Sequence, residues 1–379
     1  MRTPLTFLLA LVLYAGVLRA QTADHPTLPL GAPAPDFSLP GVDGRTYSLK
    51  DFAGAKILAV IFTCDHCPTA QAYEERIKRL VTEYGPRGVA FVAINPNNPA
   101  AVRLDELGYT DLDDTFASMK IRATDRRFNF PYLDDGPSES AARLYGPVAT
   151  PHVFLFDAGR RLRFRGRIDD SEREELAKNF DTRNALDALL AGRDPAVKET
   201  MVFGCSIKWA EKAGSNRQWE EKVHGEPVTL ETADSAALAG LRSGKPGKIL
   251  VVNVWATWCG PCVAEFDDLI ETNLRFRHRD FELVTVAAQF PDERERVLKF
   301  LQRHHASTRN LLFGANDKYS LMAALDPEWN GALPHTIVIG PGGEVLYSQT
   351  GELDFLALRR AVVPALNALA PWGGLSPVR

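Results

Sequence analysis

Two cysteine pairs are the residues of this chain best able to do chemistry. Cys64 and Cys67 stand in "TCDHCP", and Cys259 and Cys262 in "WATWCGPC". Each pair is spaced C-x-x-C and follows an apolar, β-branched run, "KILAVIF" in the first case and "KILVVNV" in the second. A thiol attacks only as the thiolate, and a free cysteine with pKa ~8.5 is mostly protonated at neutral pH. A first cysteine placed at a helix N-terminus meets unpaired backbone N–H groups and the positive end of the helix dipole, which favour the anion. The second cysteine, one turn on, can then displace a bound thiol and close a disulfide within the pair. The spacing therefore predicts dithiol exchange, with Cys64 and Cys259 at helix starts.

The elements that must hold these thiols recur in the same order in both halves. The first half opens with a Pro- and Gly-rich loop. It then reads strand at 57–62, helix at about 67–84, strand at 89–94, the hairpin "HVFLFD" and "RLRFRG", and the helix "RNALDALLAG". The second half reads strand at 249–254, helix at 261–274, strand "FELVTVAA", helix "ERERVLKFLQRHH", the hairpin "HTIVIG" and "EVLYSQT", and a last helix. A proline stands just before each hairpin, Pro151 and Pro334. In the cis form such a proline would present backbone beside the dithiol, where a substrate strand can dock. The recurrence is a duplication at domain scale and predicts an α/β chain of two tandem domains, each a mixed β-sheet flanked by helices.

At 379 residues the chain is long enough for two cores. The boundaries expected are a signal peptide at 1–20, a first domain at 28–192, a linker at 193–225 and a second domain at 226–379. The linker carries "GCSIKW", which is apolar enough to pack back on the first domain, and the domain boundary is expected within "AGSNRQWEEKVHGEP". Residues 1–20 combine Arg2, the apolar run "LTFLLALVLYAGV" and a small residue at Ala20, the pattern of a cleaved secretory leader. The mature chain is thus expected outside the cytoplasm, periplasmic or extracellular, without a membrane span. A net charge of −4 with dispersed Lys and Arg excludes an electrostatic footprint for nucleic acid.

The cysteines admit other uses. Zinc requires both pairs in one site, but 191 residues separate Cys67 from Cys259, against ~15–20 in a zinc ribbon. A soft copper ion could be held by Cys64, Cys67 and His152. Cys205 is the odd thiol, either a small buried hydrophobe or an accessory thiol that resolves or stores a disulfide with the first domain. A protonated His66 would stabilise a neighbouring thiolate and make the first pair the more oxidising; Asp65 would act the other way. Trp255 and Trp258 are placed to shape a flat docking surface, with Trp258 close enough to Cys259 to tune it.

Both halves resemble the thioredoxin superfamily. "WATWCGPCVAEF" resembles the TlpA/ResA-type thiol-disulfide oxidoreductases. That resemblance implies Cys259 as the attacking thiol, Cys262 as the resolving thiol, Pro334 as the cis-proline and Glu265 as the residue that handles the proton. Asn253 stands where thioredoxin has a buried Asp. "FTCDHCPTAQAYEERI", "RLYGPVATPHVFLFD" and "GCSIKW" resemble redoxin proteins of the alkyl hydroperoxide reductase/thiol-specific antioxidant group, which implies the fold and a role for Cys64, Cys67 and Pro151. A peroxidase of that group needs a Thr three residues before its reactive Cys, with a matching Pro. Thr63 is one residue before Cys64 and four before Cys67. The function expected is thiol-disulfide exchange, with protein or small thiols as substrates, an upstream electron donor as partner, and redox-active disulfides in place of a cofactor. The alternatives are a thiol peroxidase in the first half and a chaperone binding copper or thiol proteins.

Overall fold

The central strand of each half is buried on both faces. In the computed structural model, which describes residues 25–314 and 317–370, the run Ile57–Phe62 is covered at every position, as is Ile249–Trp255. The signal peptide expected at 1–20 lies outside the described residues. Ile57–Phe62 pairs in parallel with Val89–Asn95 and antiparallel with His152–Phe156. Tyr132–Asp134 and Leu162–Gly166 form the edges of this five-stranded sheet. On one face Ile57, Ala59 and Ile61 pack with Tyr73, Ile77 and Leu80 of helix Pro68–Tyr84 and with Leu186 of helix Asp181–Leu190. On the other, Leu58, Val60 and Phe62 pack with Ala141, Ala142 and Tyr145 of helix Ser140–Tyr145. Alternation along one strand thus feeds two cores, each such side chain contributing ~1.5–3 kcal/mol by leaving water.

The second half repeats this plan in a six-stranded sheet. Ile249–Trp255 lies between parallel Phe281–Ala287 and antiparallel His335–Ile339, with Arg309–Phe313 and Glu231–Ala233 beyond the first and Val345–Thr350 beyond the second. The three outer strands Tyr132–Asp134, Arg309–Phe313 and Glu231–Ala233 were not foreseen from the sequence. Two of them are only three residues long, too short to show alternation.

Register brings the distant prolines to the dithiols. Phe62 lies opposite His152, so Pro151 sits at the level of Thr63, beside Cys64. Val254 lies opposite His335, so Pro334 sits at the level of Trp255, at the mouth of the loop that carries Cys259. Both Thr150–Pro151 and Leu333–Pro334 are cis peptides.

Two expectations need correction here. The stretch expected as the end of a linker is the helix Ala213–His224, and it packs on the first half. Asn216 donates from Nδ2 to the Ala100 carbonyl at 3.0 Å, and the Arg103 guanidinium lies 5.7 Å from the Trp219 ring centre. The helix expected at 261–274 is broken into Gly260–Ala264 and Phe266–Phe276, with Glu265 at the break.

The halves meet through arginines of the second. Arg275 is buried and donates to the carbonyls of Leu107, Thr110 and Leu112 at 3.1, 3.0 and 2.8 Å, all on the loop that leads to Asp114. Arg359 donates to the Asp111 carbonyl at 2.7 Å, and Arg360 pairs with the Asp111 and Asp125 carboxylates. Three carbonyls on one guanidinium satisfy groups that would otherwise be buried unpaired.

Candidate active sites at the two cysteine pairs

Proline decides which cysteine caps each helix. In "CGPC" Pro261 lies inside the pair, in the first turn, and Cys259 is the N-cap, its Sγ accepting from the Cys262 N–H at 3.3 Å. In "CDHCP" Pro68 follows the pair and takes the first helical position, so Cys67 is the N-cap. Its Sγ accepts from the Ala70 N–H at 3.5 Å. This corrects the expectation that Cys64 stands at the helix start. The signal was available, since proline favours the first turn, where no N–H is required.

Around Cys67 the other sulfurs and Thr150 close in. Cys64 Sγ lies 3.1 Å from Thr150 Oγ1, and Cys67 Sγ lies 3.6 Å from the Thr150 carbonyl, both on the residue ahead of cis-Pro151. The Cys205 N–H donates to Cys67 Sγ at 3.3 Å. Cys64 and Cys67 are buried, and Cys205 is partly exposed. Burial opposes a charge on Cys67, but thiol hydrogen bonds from Cys205 and Cys64, the nearby charge of His66 and the Ala70 N–H outweigh it and hold its pKa well below the usual thiol range. Burial, joined by Cys67 and Asp114, pushes Cys64 well above that range. The contact with Cys67, and then burial, raise Cys205 as well. Cys67 is thus the thiol whose charge is favoured, and Cys64 and Cys205 are those whose charge is disfavoured.

Asp114 arms His66. Its Oδ2 lies 2.5 Å from His66 Nδ1 and accepts from Asn97 Nδ2 at 2.7 Å, while its Oδ1 accepts from the Asp65 and His66 N–H groups at 2.9 and 3.0 Å. Burial disfavours the imidazolium, yet Asp114 overrides it and raises the His66 pKa. Burial likewise opposes ionisation of Asp114, but His66 and the other donors lower its pKa. Asp65 does not oppose the thiolate as expected from its charge. Burial, and then Asp114, push its pKa well above the carboxylate range and so disfavour its charge, and Tyr132 Oη donates to it at 3.0 Å.

In the second half Cys259 and Cys262 are joined by a disulfide with S–S 2.06 Å. Trp258 is 62 % exposed beside Cys259. Leu333, ahead of cis-Pro334, packs on the cluster that contains both sulfurs.

Residues 30–165 match the AhpC/TSA family and residues 225–357 match the Redoxin family. The chain belongs to the thioredoxin superfamily, with two redoxin-like domains. Among curated relatives, the thiol:disulfide interchange protein CycY of Rhizobium leguminosarum bv. viciae is 27% identical over 169 residues, covering 41% of this chain and 86% of that protein. The thiol:disulfide interchange protein DsbE of Yersinia pestis is 28% identical over 152 residues, covering 38% of this chain and 73% of its own. Among solved structures, the hypothetical protein SMc02350 of Sinorhizobium meliloti 1021 is 34% identical with a TM-score of 0.43, over 49% of this chain and 97% of that one. This thioredoxin-superfamily chain is a thiol-disulfide oxidoreductase.

The remaining candidate residues fall to either side of the redoxin-like sites. Trp255 is not a docking residue: it is fully buried and packs on Phe266 and Phe300. The copper set with His152 does not gather among the described residues: that imidazole sits against Phe154, and its Nδ1 accepts from the Val148 N–H at 3.4 Å. The atoms that do gather within 4.8 Å are those of Cys64, His66 and Asp114. His335 is a structural strand-start residue, bonded to Asp326 at 3.0 Å and Thr350 at 2.8 Å and stacked on Trp329. Asn253 donates to Thr336 Oγ1 at 2.9 Å. Asp114 and Asn97 were missed by sequence reasoning. Nothing in "DLDD" distinguishes Asp114 from its acidic neighbours, and 47 residues separate it from His66.

Glu265 sits at the helix break with Oε2 accepting from the Leu353 N–H at 2.9 Å and Oε1 buried without a partner. Burial raises its pKa above the ordinary carboxylate range. A carboxylate so placed takes up a proton more readily than an exposed one, which suits exchange with the Cys262 thiol. In Glu265→Gln, the rate of protein-disulfide reduction is expected to fall ~10²-fold at neutral pH, the lower bound for losing a positioned proton-transfer group. The wild-type rate should rise with pH through the raised Glu265 pKa, and the variant should lack that inflection. A pH–rate profile unchanged by the substitution would remove the role.

Proposed function

We propose that the chain is an extracytoplasmic oxidoreductase with two dithiol sites, Cys64/Cys67 and Cys259/Cys262, that exchange disulfides with protein or small thiol substrates. The observation that carries this reading is that each half caps a helix with a cysteine sulfur, Cys67 or Cys259, and sets a cis-proline loop beside it. Backbone N–H groups aimed at that sulfur favour the thiolate, the form that attacks a disulfide. Export rests on the leader pattern of residues 1–20. No helix among the described residues is long and apolar enough to cross a membrane. The electrons come from an upstream thiol donor, and redox-active disulfides serve in place of a cofactor.

The two sites divide the work. Among the described residues no strand pairs with the segment ahead of Pro334, and Trp258 stands exposed beside Cys259, so the second site is open to an extended protein client. The first site lacks the hydroxyl that a peroxidatic cysteine requires, because the residue three positions before Cys67 is Cys64. With dithiothreitol as donor, the chain is expected to reduce insulin disulfides while hydroperoxide is consumed no faster than without protein. Rapid hydroperoxide turnover with insulin left intact would reverse the assignment.

A further inference from the structure

Cys205 belongs to neither C-x-x-C pair, yet its segment occupies the most consequential edge of the first half. Cys205–Ser206 is a two-residue strand paired antiparallel with Ala149–Thr150, and Thr150 lies opposite Cys205. That places it against the residue ahead of cis-Pro151, the edge where a client strand would add to a redoxin-like site. The approach is close. Gly204 has φ +136, and a Cβ on it would lie 2.0 Å from the Thr150 carbonyl oxygen. Beyond Cys205 the segment is anchored: Ile207 is buried, the Lys208 N–H donates to Asn97 Oδ1 at 2.9 Å, and Lys208 Nζ pairs with Glu106 at 2.5 Å. Asn97 is also the residue that donates to Asp114, so the strand and the His66 pair share one network.

The sulfur follows the backbone. The Cys205 N–H reaches Cys67 Sγ at 3.3 Å, and its side chain packs against the cluster of Cys64, Cys67 and Ala70, of which it is the partly exposed cysteine while the other two are buried. At the second site no strand of the described chain covers the matching edge.

We propose that Cys205 is the third redox thiol of the first site, resolving adducts on Cys67, and that Gly204–Ser206 is a built-in substrate strand that reserves this edge against extended protein clients. The proposal rests on Cys67 being the exchanging thiol, as argued above. Its substrates are small disulfides, which need only the brief lifting of a two-residue ladder. In the first step the Cys67 thiolate attacks one sulfur of RS–SR. That bond breaks, RS⁻ leaves and takes up a proton, and Cys67 carries SR. In the second, the Cys205 sulfur attacks Cys67 Sγ, its proton passes to the departing RS⁻, and the Cys67–Cys205 bond forms. Two electrons have moved from two cysteines to one disulfide, which leaves as two thiols. Cys64, on the other side of Cys67, can then displace Cys205 to give Cys64–Cys67 with no net oxidation.

The test treats the reduced full chain with oxidised glutathione and maps the products by peptide mass. In Cys64→Ser, Cys67 and Cys205 are expected to be joined. In Cys64→Ser/Cys205→Ser, glutathione should persist on Cys67 at least ~10-fold longer, since an intramolecular thiol acts at an effective concentration of ~mM or more. Cys64→Ser/Gly204→Ala, which keeps Cys205 but pushes its strand off Thr150, should behave like the double serine variant. If glutathione stays on Cys67 in Cys64→Ser while Cys205 remains free, Cys205 is not the resolving thiol, though Cys67 remains the exchanging one. If Cys67 takes up no glutathione in any variant, both the proposal and the underlying assignment of Cys67 fail.

Discussion

Cys259→Ser is expected to lower reduction of insulin disulfides by the full chain about a thousandfold or more, whereas Cys67→Ser should lower it less than about twofold. Removing the attacking nucleophile leaves only binding, and residual rates in such cases fall by several orders of magnitude. The asymmetry between the two variants follows from the edges beside the cis-prolines. The segment ahead of Pro334 is unpaired among the described residues, and Trp258 offers an aromatic face next to Cys259. The segment ahead of Pro151 is already paired with Cys205–Ser206. An insulin chain can therefore lie across the second site and not across the first. Equal losses in the two variants would show that the paired strand does not restrict clients.

The second large effect concerns His66. Replacing it with Asn should lower the reduction potential of the first site by about 30–60 mV, because ~30 mV corresponds to ~1.4 kcal/mol, or about one pK unit of thiolate stabilisation. A charged imidazole beside Cys67 stabilises the thiolate and hence the reduced form; a neutral amide does not. The pH dependence has a definite sign. The His66 pKa is raised, so its charge is complete below the ordinary histidine value and disappears as pH rises through the raised one. The Asp114 pKa is lowered, so its charge is lost only when pH falls below the usual carboxylate range. The gap between wild type and His66→Asn should thus be widest from mildly acidic to neutral pH and close under alkaline conditions. A gap that stays constant as His66 titrates would mean that its charge is not the cause.

Much of the frame was legible in the sequence because it depends on local pattern. Apolar runs ending in C-x-x-C gave the central strands and the helices behind them, and a proline before each hairpin marked the loop that register brings alongside. The features that set reactivity depend on contacts across the fold. Which thiol caps the first helix was readable from Pro68, but the bias of charge toward Cys67 rather than Cys64 depends on Cys205, brought in from a distant strand, and then on His66, which Asp114 reaches from a loop held in turn by Arg275 of the other half. Asp65 looks like a charge opposing the thiolate, but its burial beside Asp114 raises its pKa and disfavours that charge. Trp255 and Trp258 read alike in "WATW", yet the first ends a strand covered on both faces, while the second lies in the turn beyond it, in solvent. The phrase "GCSIKW" suggested packing on the first half, but no spacing could place Cys205 opposite Thr150.

The most direct measurement is an equilibrium redox titration of the full chain in which every cysteine is quantified by mass-tag labelling. Two separate two-electron transitions are expected, with Cys64, Cys67 and Cys205 becoming reduced at a higher potential than Cys259 and Cys262. Titration in the opposite order, or a first site that never leaves the fully reduced state, would contradict the account.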